Sequence, residues 1–243
     1  MKKIEKKIKD YLIKLYPFNK LYFFLKILKK SKKRYYYADN GEDIIIQGLF
    51  NNKNDGFYID VGCYHPIRAS LTHLLHKKGW KGVNIDISKD TINLFNIARP
   101  NDKNINIGIA DKQGEDFYYQ SSHINQANSF KFYDNVKKVK VQITTLDNII
   151  KNLGIKKIDF LNIDVEYKDF KALQGLDLNN VRPSLIAIED NDAYDIADVV
   201  NSDIYKYMTN KEYFLYSKSN CTNFYLDKKY KNNLNNVLNT QNK

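Results

Sequence analysis

The segment that most constrains the fold is residues 57–66, with the sequence FYIDVGCYHP. Its first five residues are apolar or aromatic except for Asp60, which predicts a buried β-strand, and Gly62 predicts a sharp turn directly after it. In open α/β sheets, ligands bind at the carboxyl ends of the strands, where such turns lie. The segment therefore predicts an α/β domain with a binding site for a nucleotide-like ligand at this turn.

Strands and helices alternate along most of the chain. Further core strands are predicted at 82–86, 104–110, 158–165 and 184–188. Helices are predicted at 44–50, between Leu71 and Gly79, and at 91–98, 146–153 and 170–176. Less regular elements are a short strand at 117–119, an edge strand at 139–143 and a C-terminal antiparallel hairpin of 213–216 and 223–226. This alternation indicates a mostly parallel sheet flanked by helices with right-handed crossovers.

Charge divides the chain into unequal parts. Residues 1–34 hold 13 Lys and Arg against 2 Asp and Glu, whereas residues 35–243 hold 26 of each sign. We therefore expect a basic amphipathic arm at 1–34, a globular domain at 35–227 and a Lys- and Asn-rich disordered tail at 228–243. Because the domain is formally neutral, it is not expected to bind nucleic acid through bulk charge.

The basic arm has two interpretations. Its apolar stretch is too short and too charged to span a bilayer, and it lacks the features of a secretory signal. The arm either lies on an anionic membrane surface or packs as a solvated helix on the domain or on a second subunit.

Cys63 and Cys221 lack metal-ligand spacing and a disulfide framework, so we expect a cytoplasmic protein, with peripheral attachment to the inner face of the membrane if the arm binds lipid.

The first two predicted strands carry the candidate cofactor residues. Asp60 and Gly62 follow the first strand, where Asp60 can accept hydrogen bonds from the amino-acid part of a cofactor. Asp86 ends the second strand, where it can accept hydrogen bonds from both hydroxyls of a ribose. Ser70 is a further predicted cofactor contact. Each acid alone also fits a helix cap or a turn, but their spacing strengthens the pair, and the absence of G-x-G-x-x-G argues against a dehydrogenase.

A second group of acids follows the fourth and fifth predicted strands. Asp164 and Glu166 leave the fourth strand, and Glu189 and Asp190 leave the fifth. Crowded carboxylates need a cation or a shared proton, and oxygen ligands suit Mg²⁺ or Mn²⁺. We therefore predict Asp164, Glu189 and Asp190 as metal ligands. Without a metal, one carboxylate acts as a general base. The alternative is that these acids only cap the following helices.

The predicted catalytic residues are Asp164, Glu166 and His65. His65 lies in the turn after the first strand, beside the expected ligand, where it is placed to contact substrate, cofactor or cation.

Six ordered segments resemble one known family, the FkbM-type methyltransferases. They are NGED at 40–43, GFYIDVGCYHP at 56–66, GWKGVNIDIS at 79–88, TTLDNII at 144–150, IDFLNIDVE at 158–166 and AIED at 187–190. The resemblance covers roughly residues 35–226 and implies a class I methyltransferase (Rossmann-like) fold, S-adenosylmethionine as methyl donor, and frequently a sugar or glycan hydroxyl as acceptor. It also implies that Asp60, Gly62 and Asp86 lie at the cofactor.

The chain departs from the family pattern at two places. Tyr167 follows the D-V-E segment, where the family commonly has glycine, and Cys63-Tyr64-His65-Pro66 replaces a smaller glycine-containing turn.

We expect a cytoplasmic O-methyltransferase that acts on a sugar hydroxyl of a nucleotide-activated or surface-glycan precursor. Two alternatives remain open, namely a non-catalytic binding module that kept the fold and an RNA methyltransferase that uses the basic arm.

Overall fold

The computed structural model describes residues 35–120 and 137–230, and from Tyr36 onward these residues belong to one structural unit. The helices are α1 (Glu42–Leu49), α2 (His73–Lys77), α3 (Lys89–Ala98), α4 (Leu146–Leu153), α5 (Asp169–Gln174), α6 (Ile196–Asn201) and α7 (Asp203–Asn210). The strands are β1 (Phe57–Val61), β2 (Lys81–Asp86), β3 (Lys103–Asn106), β4 (Gly108–Ile109), β5 (Gly114–Gln120), β6 (Lys137–Thr144), β7 (Phe160–Ile163), β8 (Leu185–Glu189), β9 (Tyr213–Ser219) and β10 (Thr222–Asp227). A 3₁₀ turn, Lys228–Tyr230, follows β10.

Seven strands form the main sheet, in the order β3-β2-β1-β7-β8-β10-β9. The first five run parallel, and β10 and β9 are antiparallel to their neighbours. This arrangement confirms the predicted α/β fold with a mainly parallel sheet and a C-terminal hairpin. Because the parallel strands share a direction, the carboxyl ends of β2, β1, β7 and β8 lie side by side at one edge of the sheet.

Alternate residues of the central strands pack on opposite faces of the sheet, because successive side chains in a strand point in opposite directions. Ile59 packs in a cluster with Leu146 of α4 and Leu173 of α5. Tyr58, its neighbour, packs in a second cluster with Trp80 and with Ile46 of α1. Burial on both faces explains why β1 reads as an almost continuous apolar run.

The third predicted core strand is wrong in its length. Residues 104–110 were expected as one strand, but Lys103–Asn106 extends the main sheet whereas Gly108–Ile109 belongs to a second sheet with the order β4-β6-β5. The predicted edge strand at 139–143 is also wrong in position, because β6 lies between β4 and β5. Both errors concern pairing between distant segments, which local alternation of side chains does not encode.

Two helices near the C-terminal hairpin, α6 and α7, were not predicted. Their ends are nevertheless encoded locally, since Asp195 and Asp198 form a capping box at α6 and the Ser202 hydroxyl accepts a hydrogen bond at the start of α7. The Thr145 cap and the Gly154 stop of α4 are confirmed.

Several predictions fall on residues outside the described ranges. These are the basic arm at 1–34 and the tail from residue 231 onward. Within residues 35–120 and 137–230, no helix is long and apolar enough to cross a membrane.

Candidate active site

A cavity of about 340 Å³ opens at the carboxyl ends of the parallel strands. It extends from Asp86 at the end of β2, past Gly62 after β1 and Asp164 after β7, to Glu189 at the end of β8. The structure thus brings both groups of predicted acids, except Asp190, to one cavity, as expected for ligand binding in an open α/β sheet.

Asp60 lines the cavity, but both of its carboxylate oxygens already accept hydrogen bonds. Thr72 Oγ1 donates to one oxygen at 2.7 Å and Asn162 Nδ2 donates to the other at 2.9 Å. Burial raises the pKa of the Asp60 carboxyl, although these two hydrogen bonds and the charge of Arg99 oppose the shift. Asp60 therefore holds the cavity wall together, and its contact with a cofactor stays a prediction.

Arg99 organises this wall and was not predicted from the sequence. Its side chain is buried, with 1% of its surface exposed, and Nη2 donates to the carbonyl of Pro66 at 2.6 Å and to the Ser70 hydroxyl at 3.1 Å. Nη1 donates to Thr72 Oγ1 at 2.8 Å and to the Tyr58 hydroxyl at 3.0 Å. Arg99 therefore ties the loop at 66–72 to the sheet. A lone arginine at the end of a helix gave no signal of this role.

Ser70, predicted as a cofactor contact, lines the cavity. Its hydroxyl lies within hydrogen-bond distance of Arg99 and, at 3.3 Å, of Thr72 Oγ1. The hydroxyl thus belongs to the network that fixes the loop, and any contact with a cofactor is untested.

Asp86, predicted to bind the cofactor ribose, lines the cavity. It ends β2, and its two oxygens accept hydrogen bonds from the backbone amides of Ser88 at 2.7 Å and Tyr64 at 3.1 Å. Burial raises the pKa of Asp86 to about 6, although these two hydrogen bonds favour the charged carboxylate and oppose the rise. The backbone amides hold the carboxylate in place at the cavity, where its remaining lone pairs are available to accept hydrogen bonds.

A cluster of carboxylates lies at the other end of the cavity. Single carboxylate oxygens of Asp164, Asp169 and Glu189 all lie within 4.8 Å of one another. Burial and the charge of Glu189 raise the pKa of Glu166 to about 7. Burial is the main cause that raises the pKa of Asp169 to about 8, and the charges of Glu189 and Glu166 raise it further. Burial and the neighbouring acids also hold the pKa of Asp164 well above its ordinary value, so the cluster retains protons near neutral pH.

Glu189 is held in the cluster by two neighbours. Asn191 Nδ2 donates to one oxygen at 3.0 Å and the Cys221 thiol donates to the other at 3.0 Å. Burial and Glu189 raise the pKa of Cys221 to about 12, so this cysteine is a neutral hydrogen-bond donor rather than a nucleophile.

The structure does not bring Asp190 to this cluster, contrary to the predicted metal-ligand set. Asp190 directly follows Glu189, and successive residues of an extended chain point in opposite directions. Its charge instead adds to burial in raising the pKa of Tyr225. The third carboxylate of the cluster, beside Asp164 and Glu189, is that of Asp169 in the first turn of α5. Its Oδ1 accepts a hydrogen bond from the Val165 amide at 2.9 Å.

His65, predicted as catalytic, is not among the residues that line the cavity. Its Nδ1 accepts hydrogen bonds from the backbone amides of Ile67 at 3.1 Å and Arg68 at 3.0 Å, which closes the turn after β1. Burial and Arg68 lower the pKa of His65, consistent with this acceptor role. The structure thus assigns His65 to the turn and gives no support to its predicted catalytic contact.

The cavity is strongly acidic. No Lys, Arg or His occurs among the described residues that line it. The acidic lining residues are Asp39, Glu42, Asp60, Asp86, Asp164, Glu166 and Glu189. Such a site attracts cations and repels the phosphates of a dinucleotide.

The sheet order and the cavity at its carboxyl edge define a Rossmann-like ligand-binding domain. Residues 60–215, more than half of the chain, match the family described as the methyltransferase FkbM domain. The chain belongs to the FkbM methyltransferase family, as its resemblance predicted. Comparison with curated proteins gives no match.

Proposed function

We propose that this methyltransferase transfers a methyl group from S-adenosylmethionine to a sugar hydroxyl, on a nucleotide-activated or surface-glycan precursor. The observation that carries the proposal is the acidic cavity with Asp86 at one end and the carboxylate cluster at the other. S-adenosylmethionine has a net positive charge, because its sulfonium and ammonium groups outweigh its single carboxylate, so the acidic lining favours it over a negatively charged dinucleotide.

The strand order supports one orientation of the cofactor. Asp86, at the end of β2, would accept hydrogen bonds from the ribose hydroxyls, and the turn at Gly62 lies next along the sheet. The methionine part would then lie towards Asp60 and Asp164, which follow β1 and β7. The cluster around Asp164 and Glu189 would therefore face the acceptor.

When bound, S-adenosylmethionine supplies a methyl group on a positively charged sulfur, which leaves as a neutral thioether when the acceptor oxygen takes the methyl. The protein must position the acceptor hydroxyl and receive its proton. Glu166 is suited to receive it, because it lines the cavity and its pKa of about 7 leaves much of it deprotonated near neutral pH. A general base is most effective when its pKa lies near the working pH.

A divalent ion is the second route to the same deprotonation. Asp164, Asp169 and Glu189 offer three oxygen ligands close together, which fits Mg²⁺ or Mn²⁺. Such an ion would lower the pKa of a bound acceptor hydroxyl and relieve the repulsion among the carboxylates. Full activity after exhaustive chelation would exclude this route and leave Glu166 as the base.

Tritium transfer from S-adenosyl[methyl-³H]methionine to sugars, sugar nucleotides and lipid-linked glycans tests the reaction. We expect label in an alkali-stable methyl ether of a sugar. Such turnover would also exclude a non-catalytic binding module. Label that appears only in RNA would contradict the proposal and favour the RNA alternative.

The basic arm at 1–34 supports attachment of the enzyme to the cytoplasmic face of an anionic membrane. We propose that these residues bind anionic lipid. Co-sedimentation with vesicles that contain phosphatidylglycerol should be lost when residues 1–34 are deleted, and should weaken with added salt. Equal sedimentation of the deleted and full chains would contradict this.

A further inference from the structure

A second cavity, of about 480 Å³, lies beside the carboxylate cluster. It shares Asn220 and Cys221 with the first cavity, so the two spaces are neighbours. Its lining residues are Tyr167, Asn191, Asp192, Ala193, Tyr194, Lys218, Asn220 and Cys221.

The order of the strands places this cavity on the far side of the cluster from the ribose acid. Asp86 ends β2, whereas Asn191 follows β8 and Asn220 lies in the turn between β9 and β10. Two contacts join the second cavity to the cluster, because Asn191 and Cys221 both donate hydrogen bonds to the Glu189 carboxylate. A molecule in the second cavity would therefore approach the acids from the side opposite the cofactor ribose.

The lining combines two tyrosine rings and two asparagine amides with one charged residue of each sign, Asp192 and Lys218. Tyr167 is 48% exposed and Tyr194 is 85% exposed, so part of the surface of each residue faces solvent. Lys218 Nζ donates to the carbonyls of Ala193 at 2.8 Å and Asn220, and these bonds join the two loops that form the cavity wall. Rings beside amides suit a ligand with an apolar face and a hydroxylated edge, which is the chemistry of a sugar ring.

The backbone at the boundary between the cavities is strained. Glu166 and Tyr167 have φ values of 53° and 70°, and Asn220 has a φ of 49°. Among residues other than glycine, asparagine tolerates this left-handed conformation, whereas a glutamate or a tyrosine rarely adopts it. Such conformations cluster at functional sites, which makes this boundary a candidate ligand site.

We propose that the second cavity is the acceptor subsite, in which an uncharged sugar ring packs against Tyr167 and Tyr194 while its hydroxyl reaches Glu166. This inference rests on the proposed function and adds the substrate class and the residues that select it. The charged part of a nucleotide-linked sugar would lie outside both cavities, since Lys218 is the one cation among the described residues that line them and its Nζ bonds to two carbonyls.

Saturation-transfer NMR tests the subsite with methyl α-D-glucopyranoside, methyl α-D-mannopyranoside and methyl β-D-galactopyranoside as probes, in the presence of S-adenosylhomocysteine. We expect signal from the ring protons of at least one glycoside, with affinity reduced about tenfold or more in Tyr167→Ala and Tyr194→Ala. Tyr167→Phe should keep the signal because it keeps the ring. The matched control is Tyr36→Ala, since Tyr36 is 59% exposed and lines neither cavity.

Two results would overturn the subsite itself, and a third would overturn its preference for an uncharged ring. One is the absence of signal from all three glycosides, and the other is wild-type affinity in both alanine variants. Tighter binding of glucose 1-phosphate than of methyl glucoside would overturn the preference for an uncharged ring. The rise in melting temperature on adding S-adenosylhomocysteine to the same samples separates this inference from the proposed function. If that product does not bind, the proposed function is contradicted, whatever the glycosides do.

Discussion

Gly62 lies against the main chain of Asp164, so that a Cβ at position 62 would stand 1.6 Å from the Asp164 carbonyl oxygen. Gly62 also has a φ of 78°, which favours glycine. Next to this contact, the Asp164 amide donates a hydrogen bond at 3.0 Å to the carbonyl of Val61, the residue that precedes Gly62. The turn after β1 and the start of the carboxylate cluster are therefore one packed unit.

Gly62→Ala should destabilise the protein by about 3 kcal/mol, because it combines an unfavourable φ with a clash between backbone atoms. Urea denaturation measures the effect. Gly154→Ala is the matched control, since Gly154 has a φ of 66° but no atom within 4 Å of its Cβ position, and should cost only about 1 kcal/mol. Equal costs for the two variants would show that the contact with Asp164 is unimportant.

Glu166→Gln should slow methyl transfer by about 10²–10⁴-fold if Glu166 is the general base. The wild-type rate should rise with pH through about 7, the pKa of Glu166, because the base must be deprotonated, and this rise should disappear in the variant. Rates on the acceptor found by tritium transfer provide the measurement. Glu115→Gln, at an exposed residue that pairs with Lys140, should behave as wild type. A glutamine variant with the wild-type pH profile would remove Glu166 from this role.

Asp169→Asn should stabilise the protein at alkaline pH. The folded-state pKa of Asp169 is raised to about 8, so its favourable contribution is complete below the unfolded pKa of about 4 and is lost as the pH rises to about 8. Asparagine resembles the protonated acid and avoids this loss. The gain should therefore grow from about pH 4 and level off above about pH 8 at up to about 5 kcal/mol, the free energy that corresponds to a difference of about four between the two pKa values. Urea denaturation between these pH values gives the result, and a gain that shrinks with pH would contradict the sign.

Tyr167→Gly should be more stable than Tyr167→Ala by about 1 kcal/mol, because the φ of 70° favours glycine. This order is the reverse of the usual preference for alanine. Tyr194, whose φ is not positive, offers the control pair, in which alanine should be the better replacement. Thermal denaturation of the four variants is sufficient, and greater stability of alanine at both positions would mean that residue 167 is not strained.

The sequence predicted the acids that end strands, because a buried strand and the turn after it are local patterns. Asp86 and Glu189 were found in this way. Asp169 was missed because it lies beyond β7 and returns to the cluster only through the left-handed turn at Glu166 and Tyr167. Asp190 was assigned to the cluster because it adjoins Glu189 in sequence, although its side chain leaves in the other direction.

Long-range pairing accounts for the remaining differences in the fold. The break between β3 and β4 depends on the pairing of Gly108 with Ile143, and the role of Arg99 depends on partners 15 to 41 residues away. Neither relationship has a local signature. By contrast, the five parallel strands and the hairpin follow from apolar periodicity and turns, and these were predicted.

Calorimetric titration with S-adenosylmethionine tests the central claim, that the acidic cavity binds this methyl donor with Asp86 at its ribose. We expect saturable binding of one equivalent, weakened about tenfold or more in Asp86→Ala because charged hydrogen bonds contribute about 1.5–3 kcal/mol. The exposed Asp111, which lines neither cavity, provides the control variant Asp111→Ala, and that variant should bind as wild type. No binding by the wild type, or equal affinity in Asp86→Ala, would contradict the claim.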